Sequence, residues 1–325
     1  MKINAIDNRA DLLYIKAYFS LSRADAGLRV HRAATFPHGG TGIGQYSSSD
    51  DRLRPKKSLG QNFLRDHNIA RNIIAAFGPQ PDDLVLEIGP GEGILTSLLA
   101  GRVRKLVAMD IDRRVIERLG GAYPGAAVEI VHQDILTADF AHLARSAGGP
   151  VRVIGNIPYN ITTPILFHLL DNREGVRDAL IMMQREVARR LVAGPGTKEY
   201  GIPSVFFRVL SDVKIVFDVS ADAFFPRPKV TSSLVHLIPL PSPRYAVEDE
   251  PFFRRMVRFV FGQRRKILRN SLRAFLDTEG ASLPDIDGLG QRPEQLAADE
   301  LVALANRLRR LAVPRNGVHP VSRGV

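Results

Sequence analysis

Apolar residues along this chain fall into short unbroken runs that alternate with stretches where they recur every three or four positions. Leu84 to Ile88 is such a run, without polar alternation, as in a strand buried on both faces. Gly89, Gly91 and Gly93 follow at once, and Ile94, Leu95, Leu98 and Leu99 then keep helical spacing. The unit reads strand, glycine loop, helix. KLVAMD, AVEIV, VRVIG and ALIMMQ repeat the strand texture, with helical stretches among them. Asp112 is placed to cap one that runs through Ile116 and Leu119 to Gly120 and Gly121, and TTP at 162–164 is a good helix start with a hydroxyl cap. REVARRLVA and KEYGIPSVFFRVL supply two more helices. Ahead of the first strand, Asp66 caps a predicted helix in which Ile69, Ile73, Ile74 and Phe77 share a face, ending at Gly78 and Pro79. VKIVFDV and SSLVHLI pair as a final hairpin, which adds one antiparallel strand to an otherwise parallel sheet.

The pattern therefore predicts a Rossmann-like α/β domain over 54–240 and, beyond the PLPSP linker at 239–243, a small all-α C-terminal domain over 244–313. Residues 1–53 are expected to form a disordered N-terminal extension, because the glycines and serines of GGTGIGQYSSSDD cannot bury enough surface to offset chain entropy. LLYIKAYFSL is interrupted by Lys16 and lacks a small-residue cleavage site, so it is not read as a signal peptide. Residues 314–325 are expected to be a frayed tail.

Composition narrows the function. With 325 residues, 45% of them hydrophobic, the chain has material for a full α/β domain and a smaller one. The absence of cysteine excludes a disulfide framework and a thiolate zinc site, and fits a reducing, cytoplasmic setting. There is no apolar run of membrane-spanning length, and nothing calls for a metal. A formal charge of +11 favours a polyanionic partner, nucleic acid before membrane. Pro251 to Leu276 holds eight basic residues and no acidic one. In RKILRNSLRAFL, Leu268, Leu272 and Phe275 fall on one helix face and Arg265, Arg269 and Arg273 on another, a basic face that is either merely solvated or in contact with phosphates.

The glycine loop stands where open α/β sheets bind ligands, at the carboxyl end of a central strand. A dinucleotide fingerprint GxGxxG would need glycine at 94, where Ile stands, which disfavours NAD. NIPY, Asn156 to Tyr159, ends the fourth strand. The exocyclic nitrogen of adenine is a poor nucleophile because its lone pair is delocalised into the ring. Two acceptors on its two hydrogens, the Asn156 side-chain oxygen and the Ile157 carbonyl, would localise that pair; Pro158 fixes the bend and Tyr159 offers a ring to stack on. The same four residues also read as an Asn-Pro turn beside a core tyrosine.

Short strings spread between about 54 and 312 carry a resemblance. Glu87-x-Gly89-x-Gly91-x-Gly93 resembles the first motif of S-adenosylmethionine (SAM) methyltransferases. KSLGQNFL resembles the opening signature of the rRNA adenine dimethyltransferases, the KsgA type with its Erm relatives; GNIPYNITTPILFHLL is similar to their NIPY region. Phe224, Pro226, Pro228, Lys229 and Val230 match their FxPxPKV pattern, and QRRK and RNSL look like their helical C-terminal domain. The resemblance implies a class I SAM methyltransferase fold, SAM as cofactor and S-adenosyl-L-homocysteine as product. Asn62 and Leu64 would line the cofactor pocket with Glu87, Gly89, Gly91 and Asn156, Asp110 would hold ribose hydroxyls, and Asp134 the cofactor's adenine amino group, although a strand-end Asp also serves as a helix cap. Phe224 would face the target base opposite Tyr159, or be a buried ring beside a rigid turn. A KsgA-type enzyme would act, as a monomer, on two adjacent adenosines in the 3′-terminal hairpin loop of small-subunit rRNA in the 30S particle. An Erm-type enzyme acting on large-subunit rRNA and a non-catalytic RNA-binding member of the family are the alternatives.

Overall fold

The computed structural model describes residues 53–123, 127–311 and 313–314; most of the expected N-terminal extension and of the tail lies outside the described residues. Seven strands form one sheet: β1 Leu84–Ile88, β2 Lys105–Asp110, β3 Val128–His132, β4 Val151–Asn156, β5 Val176–Gln184, β6 Ser211–Val219 and β7 Ser232–Pro239, in the order β3-β2-β1-β4-β5-β7-β6. The five strands from β3 to β5 run parallel, and β7 is antiparallel to both of its neighbours. The expected hairpin is present. Strand order reverses between β1 and β4, so the carboxyl ends of these two strands open the crevice where such sheets take ligands.

Both faces of the sheet are covered at its centre, which is why the inner strands are buried nearly throughout. Along β1, Leu84, Leu86 and Ile88 belong to one cluster and Val85 to the other, as the two-residue period of a strand dictates. The Val85 side packs on helix α1, His67–Phe77, through Ala70, Ile73, Ile74 and Phe77, and on α2, Ile94–Leu99, through Leu95 and Leu99. Asp66 caps α1 by accepting from the N–H groups of Asn68 and Ile69, and Gly78 closes it in the left-handed region. Asp112 likewise caps α3, Arg113–Leu119. The opposite layer holds α4, Phe140–Ala147, α5, Thr162–Asp171, α6, Arg185–Val192, and α7, Ile202–Leu210. At α5 the expected hydroxyl cap is not made: Thr162 Oγ1 instead donates to the Pro158 carbonyl at 3.2 Å, which ties the helix start to the turn before it.

That second layer continues without a break into the C-terminal helices α8, Glu250–Gly262, α9, Leu268–Thr278, and α10, Ala298–Leu311. Phe206 of α7 meets Phe253 of α8 at 5.9 Å between ring centres, and Phe252 meets Phe275 of α9 at 5.4 Å. Leu268, Leu272 and Phe275 are buried as their spacing predicts. Helix α9 begins only at Leu268, however, so Arg265 stands in the turn ahead of it rather than on its basic face; Ile267, extended at the N-cap, sets that boundary. Polar ties reinforce the joint. Arg264 donates to the carbonyls of Thr197 and Lys198, Gly196 N–H to Glu294 O, and Tyr200 OH to Leu296 O.

Low on the sheet, Arg152 of β4 is buried in an ionic cluster. Its guanidinium bonds Asp178 of β5 at 2.8 and 2.9 Å, Asp83 at 2.7 Å and the carbonyl of Phe77 at 2.7 Å, and His236 of β7 adds a 3.0 Å contact to Asp178. A buried guanidinium is tolerated here because each of its N–H groups meets an acceptor.

Candidate active site

The site is assembled from the loops at the carboxyl ends of β1, β2, β3 and β4 and from the segment that precedes α1. The glycine loop turns sharply because Gly89 and Gly91 adopt φ of 67° and 56°, a region that side chains other than glycine rarely enter. A Cβ on Gly91 would stand 2.8 Å from the Phe63 ring, so the KSLGQNFL segment lies directly against the loop. At Gly89 the position of a Cβ is open except for the Asn156 carbonyl at 3.6 Å. The ends of β1 and β4 thus face each other across bare backbone.

Glu87, at the end of β1, is buried and accepts from Thr96 Oγ1 of α2 at 2.7 Å. Burial pushes its carboxyl up to about 7, with the nearby Asp110 charge adding to the rise and the Thr96 hydrogen bonds opposing it. Asp110 closes β2 and accepts from Asp112 N–H at 2.8 Å. Burial raises it above the ordinary carboxylate range, while the N–H groups of Asp112, Gly91 and Ile111 hold it back. Asp110 is therefore wired to the glycine loop. Asp134, beyond β3, accepts from Leu136 N–H at 2.9 Å and caps a short turn at 135–137, so the cap reading is realised through Oδ1.

One residue has a larger part than a helix cap. Asp112, buried, accepts from Lys56 Nζ at 3.3 Å, Gln61 Nε2 at 3.0 Å and the Arg114 guanidinium. Arg114, against the cost of burial and together with Gln61 and Lys56, holds its carboxyl well below the usual range. The bonds from Gln61 and from Lys56 just ahead of KSLGQNFL tie that segment to the turn after β2. Nothing at Asp112 in the sequence distinguishes a capping carboxylate from such a hub.

In the NIPY turn, Asn156 Nδ2 donates to the Asn62 carbonyl at 2.9 Å. That bond fixes which end of the amide is donor and leaves Oδ1 as the acceptor. Asn62 Nδ2 in turn donates to Gly60 O at 3.2 Å. Ile157 is buried, Pro158 holds φ at −59°, and Tyr159 OH pairs with the buried Ser232 Oγ of β7 at 2.6 Å. Burial raises the Tyr159 hydroxyl pKa, partly offset by the Ser232 bond. Phe224 is buried and pairs through its backbone with Leu64, while the next residue, Phe225, pairs with Phe63 and keeps an exposed ring. This two-residue ladder joins the QNFL and FxPxPKV segments, and two residues are too few to leave a periodic signal. Arg269 is half-buried and donates to Ile286 O at 3.4 Å; Arg265 and Arg273 are exposed on the C-terminal helical region, as are Arg255 and Lys266.

Fold and site together define an enzyme of the class I methyltransferase kind: a sheet with one antiparallel strand, a glycine loop after β1, an acid after β2 and an Asn-x-Pro-Tyr turn after β4. The profile of the family described as ribosomal RNA adenine dimethylase matches residues 52–307, and the chain belongs to that family. It is 46% identical over 253 residues to ribosomal RNA small subunit methyltransferase A of Aromatoleum aromaticum, covering 78% of this chain and 94% of the relative. With the protein of the same description from Geobacter metallireducens it shares 44% over 264 residues, 79% and 96% of the two chains. Among solved structures, a dimethyladenosine transferase from Plasmodium falciparum superposes with a TM-score of 0.65 at 26% identity, covering 76% of this chain and 98% of the other. The 23S rRNA methyltransferase ErmE superposes with a TM-score of 0.50 at 29% identity, covering 74% and 100%.

Proposed function

We propose that this protein transfers methyl groups from SAM to N6 of adenosine in small-subunit rRNA, dimethylating two adjacent adenosines of the 3′-terminal hairpin loop during ribosome assembly. The observation that carries the reading is the Asn156 amide: its Nδ2 is held by the Asn62 carbonyl, which leaves Oδ1 as the acceptor, on the residue whose main-chain carbonyl lies beside Gly89 where the ends of β1 and β4 meet. The relatives named for the small subunit favour that target over the large-subunit one of ErmE.

The residues present fit SAM. The bare backbone at Gly89 admits a ligand, Asp110 offers a carboxylate oxygen to ribose hydroxyls, and Asp134, with Oδ1 on Leu136, keeps Oδ2 for an adenine amino group. Leu64 and Asn62 would line the pocket from the KSLGQNFL side. Bound there, SAM supplies an electrophilic methyl on a good leaving group. The chain has then to place the amine. Asn156 Oδ1 and the Ile157 carbonyl accept its two hydrogens, Pro158 keeps the turn bent, and Tyr159 and Phe224 flank the base. The amino proton leaves after transfer, when the product nitrogen is acidic, so no strong base is required. A hairpin loop suits this geometry because unpaired bases enter a pocket at small unstacking cost. Arg269 and Arg273 of α9, with Arg265 in the turn ahead of it, would meet rRNA phosphates.

Small subunits lacking the modification, incubated with methyl-labelled SAM and the protein, should yield labelled N6,N6-dimethyladenosine on nucleoside analysis, mapped by mass spectrometry to the 3′-terminal hairpin. Label in large-subunit rRNA, or none, would overturn the reading.

A further inference from the structure

Phe225 is 46% exposed, although it directly follows the buried Phe224. Its backbone is pinned to Phe63, whose ring packs on Gly91 and whose predecessor, Asn62, holds Asn156. The Arg65 guanidinium sits 4.0 Å from the centre of the Phe225 ring. Arg65 is itself held by Glu92 of the glycine loop, Nε at 3.3 Å and Nη2 at 3.4 Å from the two carboxylate oxygens. Three segments that frame the site, QNFLR, GPGEG and FFPRPKV, therefore converge on one exposed ring.

Arg65 is charge-paired, so its part at this point is mechanical: it covers one face of the ring, holds it by a cation–π contact and leaves the rest of the ring to solvent. An exposed aromatic gripped in this way is a flat apolar surface with little conformational freedom to lose on binding. Exposed Arg227 and Lys229 follow it in the same loop, Arg227 paired with Asp222 at 3.1 Å, and the chain as a whole carries +11. Positive charge around an aromatic face suits a nucleobase attached to phosphates better than an apolar peptide.

We propose that Phe225 is the stacking surface for the unpaired nucleobase adjacent to the adenosine that enters the site, with Arg65 as the residue that positions the ring. The proposal rests on the rRNA reading above and adds a second base subsite to it. Every base has a π-face, so the subsite takes a base of any identity and grips the strand rather than reading it.

The chain contains no tryptophan, so Phe225→Trp introduces a single indole at the subsite. Its fluorescence should be quenched by a short RNA hairpin with adenosines in its loop, and much less by the same hairpin with the loop position next to the target adenosine made abasic. Phe225→Ala should raise KM for the RNA roughly five- to a hundredfold, the range that loss of one stacked base gives, with SAM affinity measured by calorimetry unchanged. Arg65→Gln, added to the Phe225→Trp protein, should weaken the quenching of the introduced indole while leaving SAM binding intact. An indole indifferent to bound RNA, a Phe225→Ala enzyme with the parent KM, or a Phe225→Ala protein that loses SAM would each overturn the proposal. Quenching reads binding alone, so a protein that stacks RNA but transfers no methyl would sink the functional reading and leave the subsite standing.

Discussion

The side-chain Nδ2 of Asn156 donates to the main-chain carbonyl of Asn62 at 2.9 Å, across 94 positions of chain. Asn156→Ala should remove both the oriented acceptor and the bond that orients it. We expect kcat to fall by at least about a hundredfold, by analogy with the loss of one preorganised polar group at a reacting centre, with SAM affinity within a few fold of the parent. Single-turnover methyl transfer and calorimetry on the same preparation check this, and near-normal turnover would remove Asn156 from the chemistry.

Tyr159 is braced by Ser232 at 2.6 Å. Tyr159→Phe keeps the ring and strands the buried Ser232 hydroxyl, which should cost about 1–3 kcal/mol in stability with a small change in turnover. Tyr159→Ala removes the ring, and KM for RNA should rise by the equivalent of roughly 1–3 kcal/mol. Thermal melts alongside steady-state kinetics separate the two effects.

Glu87 supplies a pH dependence. Its carboxyl, ordinarily near 4.5, is raised to about 7 by burial in the folded chain, so the folded state holds a proton that the unfolded state releases between those values. Stability should therefore fall as pH rises from 4.5 to 7, and level off above. Glu87→Gln keeps an acceptor for Thr96 and has no charge to bury. Its advantage over the parent in chemical denaturation should grow through this window, reaching up to about 3 kcal/mol near pH 8; a difference that does not vary with pH would contradict the account.

The Arg152 cluster tests the far end of the sheet. Burial alone would raise the Asp178 carboxyl, but bonds from Arg152 and His236 outweigh it and bring it down to about 2. The stabilisation is present above the ordinary carboxylate value near 3.8 and is lost as pH falls through about 2. Arg152→Met should leave Asp83 and Asp178 buried without their main partner and cost about 3–5 kcal/mol at neutral pH, whereas Arg152→Met with Asp178→Leu should recover part of that loss. Denaturant midpoints for the two variants decide the matter.

Much of this molecule is legible in the sequence because its central strands are buried on both faces and two of its helices are capped by Asp66 and Asp112, so that one local rule after another points the same way. Asn156, Glu87 and Asp110 can be placed from serial order alone, each at a strand end. What the sequence leaves silent is pairing over distance. Arg152 lies within the strand-like run VRVIG, and only the register that sets it beside Asp178 makes it the centre of a cluster. Phe224 and Phe225 are neighbours of the same type, and only the ladder to Leu64 and Phe63 buries one and exposes the other. Helix α4, capped by Asp139, has too short an apolar face to stand out. Arg265 falls in phase with Arg269 and Arg273, yet the helix starts after it.

Phe252, Phe253 and Met256 of α8 lie in the same apolar cluster as Phe206 and Phe207 of α7. Cutting the chain at the PLPSP bend would consequently strip a hydrophobic lining from the outside of the sheet's helical layer. The leftover half would be a sticky remnant prone to clumping, and anyone seeking a minimal version of this protein should trim elsewhere.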